Sequence, residues 1–323
     1  MAFILGGQRK LHVMFTDRYF RFLETGKNFS LIKYGQKLLP TGLIHEGEIQ
    51  DYDTLFTILD QYMGENRLKR LPVYMNLLDG HTIVRKVQVP AEIPSDEIKG
   101  YLYMEIGESL HLPFEDPVLQ VEELEQKEGY KEVLLLAVKE SVVKTYINLL
   151  EELKCRPEVM DLSILSLYRL YYHLDLHRPD QHLLQIQLFV DCFQLSIFHD
   201  HKPIYVRYQA LPDTMQGELQ RTRTGFEVME APDEPTGKAE HLQIMVQEID
   251  RLINFYRYNM TKGEHQLNKF TITGDHPFLE EFTPELENQL GINIQSLAQP
   301  FFQTTKDMNI PYMLNECIGL SLK

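Results

Sequence analysis

Near the start of the chain the apolar positions fall in short runs separated by turn residues, which predicts strands. Leu11 to Thr16 and Tyr19 to Glu24 predict a hairpin around Asp17-Arg18, and Phe29 to Leu39 a third strand. Pro40-Thr41-Gly42 breaks that run. The period then changes. Asp53 begins a predicted helix with Leu55, Phe56, Leu59 and Tyr62 on one face. Leu71 to Leu78 is apolar, Asp79-Gly80 reads as a hairpin turn, and His81 to Val89 alternates, so a strand pair is expected. Ser95 has N-cap chemistry, with Asp96 and Glu97 in the first turn, and predicts a helix to about Leu110, before Pro113. Val118 to Leu124 and Glu132 to Lys139 predict strands. Glu140 to Leu153 predicts an amphipathic helix with Val143, Tyr146, Ile147 and Leu150 inward.

The second half begins similarly. Val159 to Leu162 predicts a short strand, and Ile164 to Leu174 a helix. Leu183 to Phe198 is a long apolar strand region, turned by Asp200-His201-Lys202-Pro203 into Ile204 to Tyr208. Leu211 to Lys238 is rich in Pro, Gly, Thr and charge and reads as a long loop. Glu240 to Tyr258 predicts a helix, Phe270 to Thr273 a buried strand ending at Gly274, and Pro284 to Leu290 a helix stopped by Gly291. Ile292 to Leu297 predicts a last strand and Asn309 to Leu320 a closing helix. This order predicts an α/β protein of two similar halves, residues 1–156 and 157–323, with the closing helix returning to the first half. A small β-α-β-β-α module, about 72–155, is inserted in the first half.

Composition narrows the function classes. The 323 residues are 43% hydrophobic, enough for a sizeable core. The formal charge of -15 repels phosphate backbones and anionic lipid, so no nucleic acid is expected. The one dense basic run, Arg67-Leu68-Lys69-Arg70, is short and reads as a solvated helix end. Cys155, Cys192 and Cys317 are widely spaced and odd in number, which suits a reducing, cytoplasmic compartment. Phe3-Ile4-Leu5 is too short for a signal-peptide core. No stretch approaches the roughly 20 apolar residues that span a bilayer, so membrane association is expected only through partners.

More specific signals lie in the middle of the chain. Ile83-Val84-Arg85-Lys86-Val87-Gln88-Val89-Pro90 resembles the strand-to-proline segment of the PilM family, actin-like proteins of type IV pilus assembly. Glu105 with Leu112-Pro113-Phe114-Glu115-Asp116 resembles that family's helix and Pro-Phe-acidic turn. Ile244 to Tyr256 with Glu248-Ile249, Ile272-Thr273-Gly274, Leu290-Gly291-Ile292 and Gly319-Leu320 follow in the family's order. The resemblance implies a two-lobed actin-like fold with an extra subdomain in the first lobe. It implies binding of the cytoplasmic tail of a PilN-like membrane protein in a groove beside that subdomain, and coupling to a pilus motor ATPase. Ile83, Arg85 and Val87 are candidate contact residues of that groove, with core packing or a solvated strand face the stronger reading of each.

The same resemblance implies two phosphate-binding hairpin turns, each needing glycine for close backbone approach and Asp for Mg²⁺. If Arg21 takes the place of the first motif's lysine, Met14 stands at the Asp position and Thr16 at the Gly position. Asp17 is the only acid nearby and reads as a turn residue. In the second hairpin Gln187 stands for Asp and Phe189 for Gly, and a Phe there fills the space of a phosphate. The adenosine-side pair keeps one glycine in Gly274-Asp275. No cofactor is therefore expected, and the chain reads as a non-catalytic scaffold of a type IV pilus or competence pseudopilus. Two alternatives predict different behaviour. A nucleotide-switched relative is stabilised by Mg-ATP, and an actin-like cell-division protein forms filaments. His173 and His177 have metal-ligand spacing, but no cysteine or acid completes a site, so no metal is expected.

Overall fold

The computed structural model describes residues 9–77, 79–212, 218–221, 226–230 and 237–323. β1 (Lys10–Phe15), β2 (Tyr19–Thr25) and β3 (Leu31–Leu38) form an antiparallel meander. A ribbon of β4 (Ile44–His45) and β5 (Glu48–Ile49) leads to α1 (Tyr52–Glu65). Asp51 caps this helix by accepting from the Thr54 N–H, so it opens just before the predicted Asp53. β6 (Pro72–Leu77) then runs parallel to β1.

The chain next builds a separate sheet. β7 (Thr82–Pro90), α2 (Ile98–Met104), β8 (Pro117–Lys127) and β9 (Tyr130–Lys139) follow in sequence, and the strands lie in the order β7–β9–β8. This insert has its own core, including Val89, Ile98, Leu102, Leu119, Val133 and Leu135. α3 (Glu140–Glu152) and β10 (Arg156–Leu162) return to the first sheet, where β10 pairs parallel with β6. α4 (Ser163–His173) follows.

The second half repeats the plan. β11 (Leu183–Leu188), β12 (Cys192–His199) and β13 (Lys202–Ala210) form a meander. β14 (Glu218–Arg221) and β15 (Glu227–Glu230) pair with each other, and α5 (Lys238–Phe255) follows, continued by a π turn to Met260. β16 (Lys269–Gly274) runs parallel to β11, then come α6 (Leu279–Leu290), β17 (Gln295–Ser296) and α7 (Asn315–Ser321). The sheets read β3–β2–β1–β6–β10 and β13–β12–β11–β16–β17, the same order with the same strand directions. Both central strands, β1 and β11, are buried nearly end to end, which suits strands covered on both faces.

Several expectations are corrected. Asp79-Gly80 is not a hairpin turn: a single 3₁₀ turn, Asp79–His81, hands the chain from the first sheet to the insert, so β6 and β7 never pair. β6 and α3, placed in the 72–155 module by the sequence, pack on the first sheet instead. Ser95 is not a cap. The Glu97 N–H bonds the Pro94 carbonyl in a turn, and the helix opens at Ile98 and ends at Met104. α6 begins before Pro284, which sits exposed inside it and leaves the Glu280 carbonyl without its helical N–H. The 211–238 segment holds the β14–β15 pair rather than loop alone, and residues 213–217, 222–225 and 231–236 lie outside the described residues. The closing helix starts only at Asn315, after a 3₁₀ turn.

Candidate functional site

The β1–β2 and β11–β12 hairpins meet at the seam between the halves, with α7 inserted beside them. Met14 and Phe189, which stand at phosphate-turn positions by resemblance, are both buried in one apolar cluster with Leu167, Tyr171, Leu314 and Cys317. Thr16 closes its own turn: its N–H donates to the Tyr19 carbonyl, and its hydroxyl accepts the Tyr19 N–H, both at 2.9 Å. In the other hairpin the Phe189 N–H bonds the Cys192 carbonyl at 2.8 Å, which makes an equally tight turn.

The polar residues of the seam bind one another. Gln187 is fully buried, and its amide donates to Glu316 on α7 at 3.2 Å and to Ser163 at 3.4 Å. Asn76 on β6 donates to the Glu316 carbonyl at 2.9 Å and accepts from the Ser166 hydroxyl at 2.8 Å. Arg21 on β2 is buried and pairs across the seam with Asp275, while its Nε donates to Gln36 at 2.6 Å. Burial pushes the Asp275 and Glu316 carboxyls up, and the Arg21 guanidinium pulls both back. Gln36 passes the chain of bonds on to the Glu227 carbonyl on β15 at 2.5 Å, and Glu227 accepts from the Leu38 N–H at 2.9 Å.

Gly274 has a conformational reason to be glycine. Its φ is 140°, and a Cβ there would lie 1.8 Å from the Leu188 carbonyl oxygen. The absent side chain lets β16 approach β11, and the space is already taken by backbone.

A cavity of about 280 Å³ remains between the hairpin tips, with Asp17, Arg18, His45, Glu46, Asp191 and Tyr208 among its walls. Asp17 spends both carboxylate oxygens on the Glu46 and Gly47 N–H groups, at 2.6 and 2.9 Å. Burial, with Asp17 and Asp275 nearby, pushes the Asp191 carboxyl up to about 7. Mg-ATP, which an actin-like fold implies, does not fit these residues. Phe189 and Met14 fill the turns, Gly274 meets backbone, and the buried Asp275 and Glu316 carboxyls oppose a polyphosphate.

Other candidates separate in space. α4 ends at His173, so His173 and His177 share no helix face; His177 stacks on Tyr168 and its Nε2–H donates to the Tyr168 carbonyl, 3.0 Å away. Among the described residues no group of His, Cys, Asp and Glu could hold a metal, and no helix is long and apolar enough to cross a membrane. Ile83 and Val87 pack against the insert's own core, and exposed Arg85 donates to the His111 carbonyl at 3.0 Å. Sequence reasoning named Arg21 and Asp275 separately and missed that they pair, and it missed Glu316 altogether. A lone Arg within the apolar run Tyr19 to Leu23 was the available signal.

Comparison with known proteins is consistent with this geometry. The profile of the family "Type IV pilus assembly protein PilM" matches residues 19–233, two thirds of the chain. No curated protein sequence matches significantly. A chain of a PilM-PilN type IV pilus biogenesis complex superposes with a TM-score of 0.73 at 18% identity, covering 97% of both chains. The ethanolamine utilization protein EutJ of Carboxydothermus hydrogenoformans gives 0.50 at 10% identity, covering 98% of this chain and 90% of the other. A Bacteroides thetaiotaomicron protein with an actin-like ATPase fold and unknown function gives 0.50 at 12%, covering 100% and 99%. The two five-stranded sheets of like order are thus the halves of an actin-like fold.

Proposed function

The chain belongs to the type IV pilus assembly protein PilM family, and from that membership we propose that it is a non-catalytic scaffold of a type IV pilus or competence pseudopilus platform. It works at the cytoplasmic face of the membrane, held there by the cytoplasmic tail of a PilN-like membrane protein, and it stands between that platform and a pilus motor ATPase. The likeness to a chain of a PilM-PilN complex supports the choice of partner.

One observation carries the non-catalytic part: the residues at the phosphate turns and the adenosine-side position bind each other across the seam. Arg21 holds Asp275, Gln187 holds Glu316, and Phe189 packs with Met14. A site that must open for nucleotide would have to break a buried ion pair and expose this core. The scaffold therefore keeps one closed arrangement, and its partner surface needs no nucleotide to form. Calorimetric titration of the protein with a synthetic PilN-like tail, with and without Mg-ATP, tests this. The same affinity in both conditions is expected. Binding that appears only with Mg-ATP would overturn it and favour a nucleotide switch.

A further inference from the structure

We infer that the outer edge of β8 is a docking site for an extended, basic segment of a partner protein, which joins the insert's sheet as a fourth strand. The site is separate from the tail-binding reading and stands whether or not that reading holds. β8 is an edge strand of 11 residues in the order β7–β9–β8. The opposite edge, β7, lies against β13 of the second half, so only β8 offers a long free side.

Tyr103 on α2 marks which backbone groups point outward. Its hydroxyl donates to the Pro117 carbonyl at 3.1 Å and accepts from the Leu119 N–H at 3.2 Å. In an antiparallel pair the outward groups recur at every second residue, so the N–H and C=O of Val121 face the same side. Among the described residues nothing bonds them. A cavity of about 380 Å³ runs alongside, between Ser95, Ile98 and Lys99 on one wall and residues 120–123 of β8 on the other. An open edge with a groove beside it can take an extended peptide through main-chain hydrogen bonds.

Charge selects the occupant. From Glu92 to Glu125 the chain carries ten acidic residues and one basic residue, Lys99. Glu122, Glu123 and Glu125 are exposed along β8, and Glu122 makes no ion pair among the described residues. A second copy of the chain paired edge to edge would set this acidic row against itself, which like charges across a strand pair oppose. Lysine or arginine at alternate positions of an incoming strand would meet it instead.

A labelled peptide of alternating lysine and valine, followed by fluorescence anisotropy, tests the site. Saturable binding is expected. Methylating the peptide's alternate amides removes several edge hydrogen bonds and should weaken binding about tenfold or more. Val121→Pro, which removes an outward N–H, should weaken it similarly, with circular dichroism confirming the fold; Glu122→Lys should weaken it too. The methylated peptide is measured on the unaltered protein, so the result does not depend on a variant folding. No binding overturns the inference. Equal binding of the methylated peptide also overturns it, because that outcome is charge attraction without strand addition. Self-association of the chain that Val121→Pro abolishes overturns it in favour of a second copy.

Discussion

The seam between the two halves and the insert in the first half treat charge in opposite ways. At the seam Arg21, Asp275 and Glu316 are buried: Arg21 pairs with Asp275 and bonds Gln36, Gln187 donates to Glu316, and Arg21 Nη1 and Asp275 Oδ1 stay unpartnered among the described residues. On the insert the charges stand in solvent along an open strand edge. The insert occupies the passage from β6 to α3; the matching passage in the second half, from β16 to α6, needs only residues 275–278. The surface that the first half adds lies on the insert, which has its own sheet and its own core. The difference teaches where to look for function: among solvent-facing groups of the insert rather than in the cleft between lobes.

The largest effect should come from breaking the seam's ion pair. Arg21→Met leaves Asp275 and Glu316 buried without their cation and should cost about 4 kcal/mol in a denaturant titration. The double variant Arg21→Met with Asp275→Leu should recover part of that loss, since no charge is then stranded at the pair. Next, Phe189→Ala opens a cavity in the seam and should cost about 3 kcal/mol. It should not confer Mg-ATP binding, because the carboxyls remain; calorimetry after the melt checks both. On the insert, Tyr103→Phe removes the two hydrogen bonds at the start of the β8 edge and should cost only about 1 kcal/mol.

A further effect is a pH dependence. The Asp191 carboxyl, pushed up to about 7 in the fold by burial, holds its proton between pH 4 and 7 where the unfolded chain has lost it. The native state then binds more protons, so this residue's contribution to stability falls as pH rises through that window. Asp191→Asn should flatten the decline, which melting temperatures at pH 5 and 7.5 would reveal; an unchanged profile would remove Asp191 as its source.

Much of the fold was legible because it is written in local pattern. The meanders, α1, α3 and the Gly291 stop follow from apolar spacing and turn chemistry within a few residues. The Asp79-Gly80 reading failed because a turn signal shows that the chain bends and not which sheet receives it. Ser95 failed because the Pro94 carbonyl captured the Glu97 N–H before a helix could start. The seam was half legible. Met14, Thr16, Gln187 and Phe189 were conspicuous as departures from a family pattern, but the Arg21–Asp275 pair joins residues far apart in the chain, and no local spacing announces it. The β8 edge was invisible for the same reason: openness is a property of the finished sheet.

The central claim is that the seam is a closed core rather than a nucleotide site. The most direct measurement is a calorimetric titration of the purified, folded protein with Mg-ATP. The account predicts no saturable heat and no shift of the melting temperature. Saturable binding that also raises the melting temperature would contradict it, and would mean that Arg21, Asp275 and Glu316 part to admit a nucleotide.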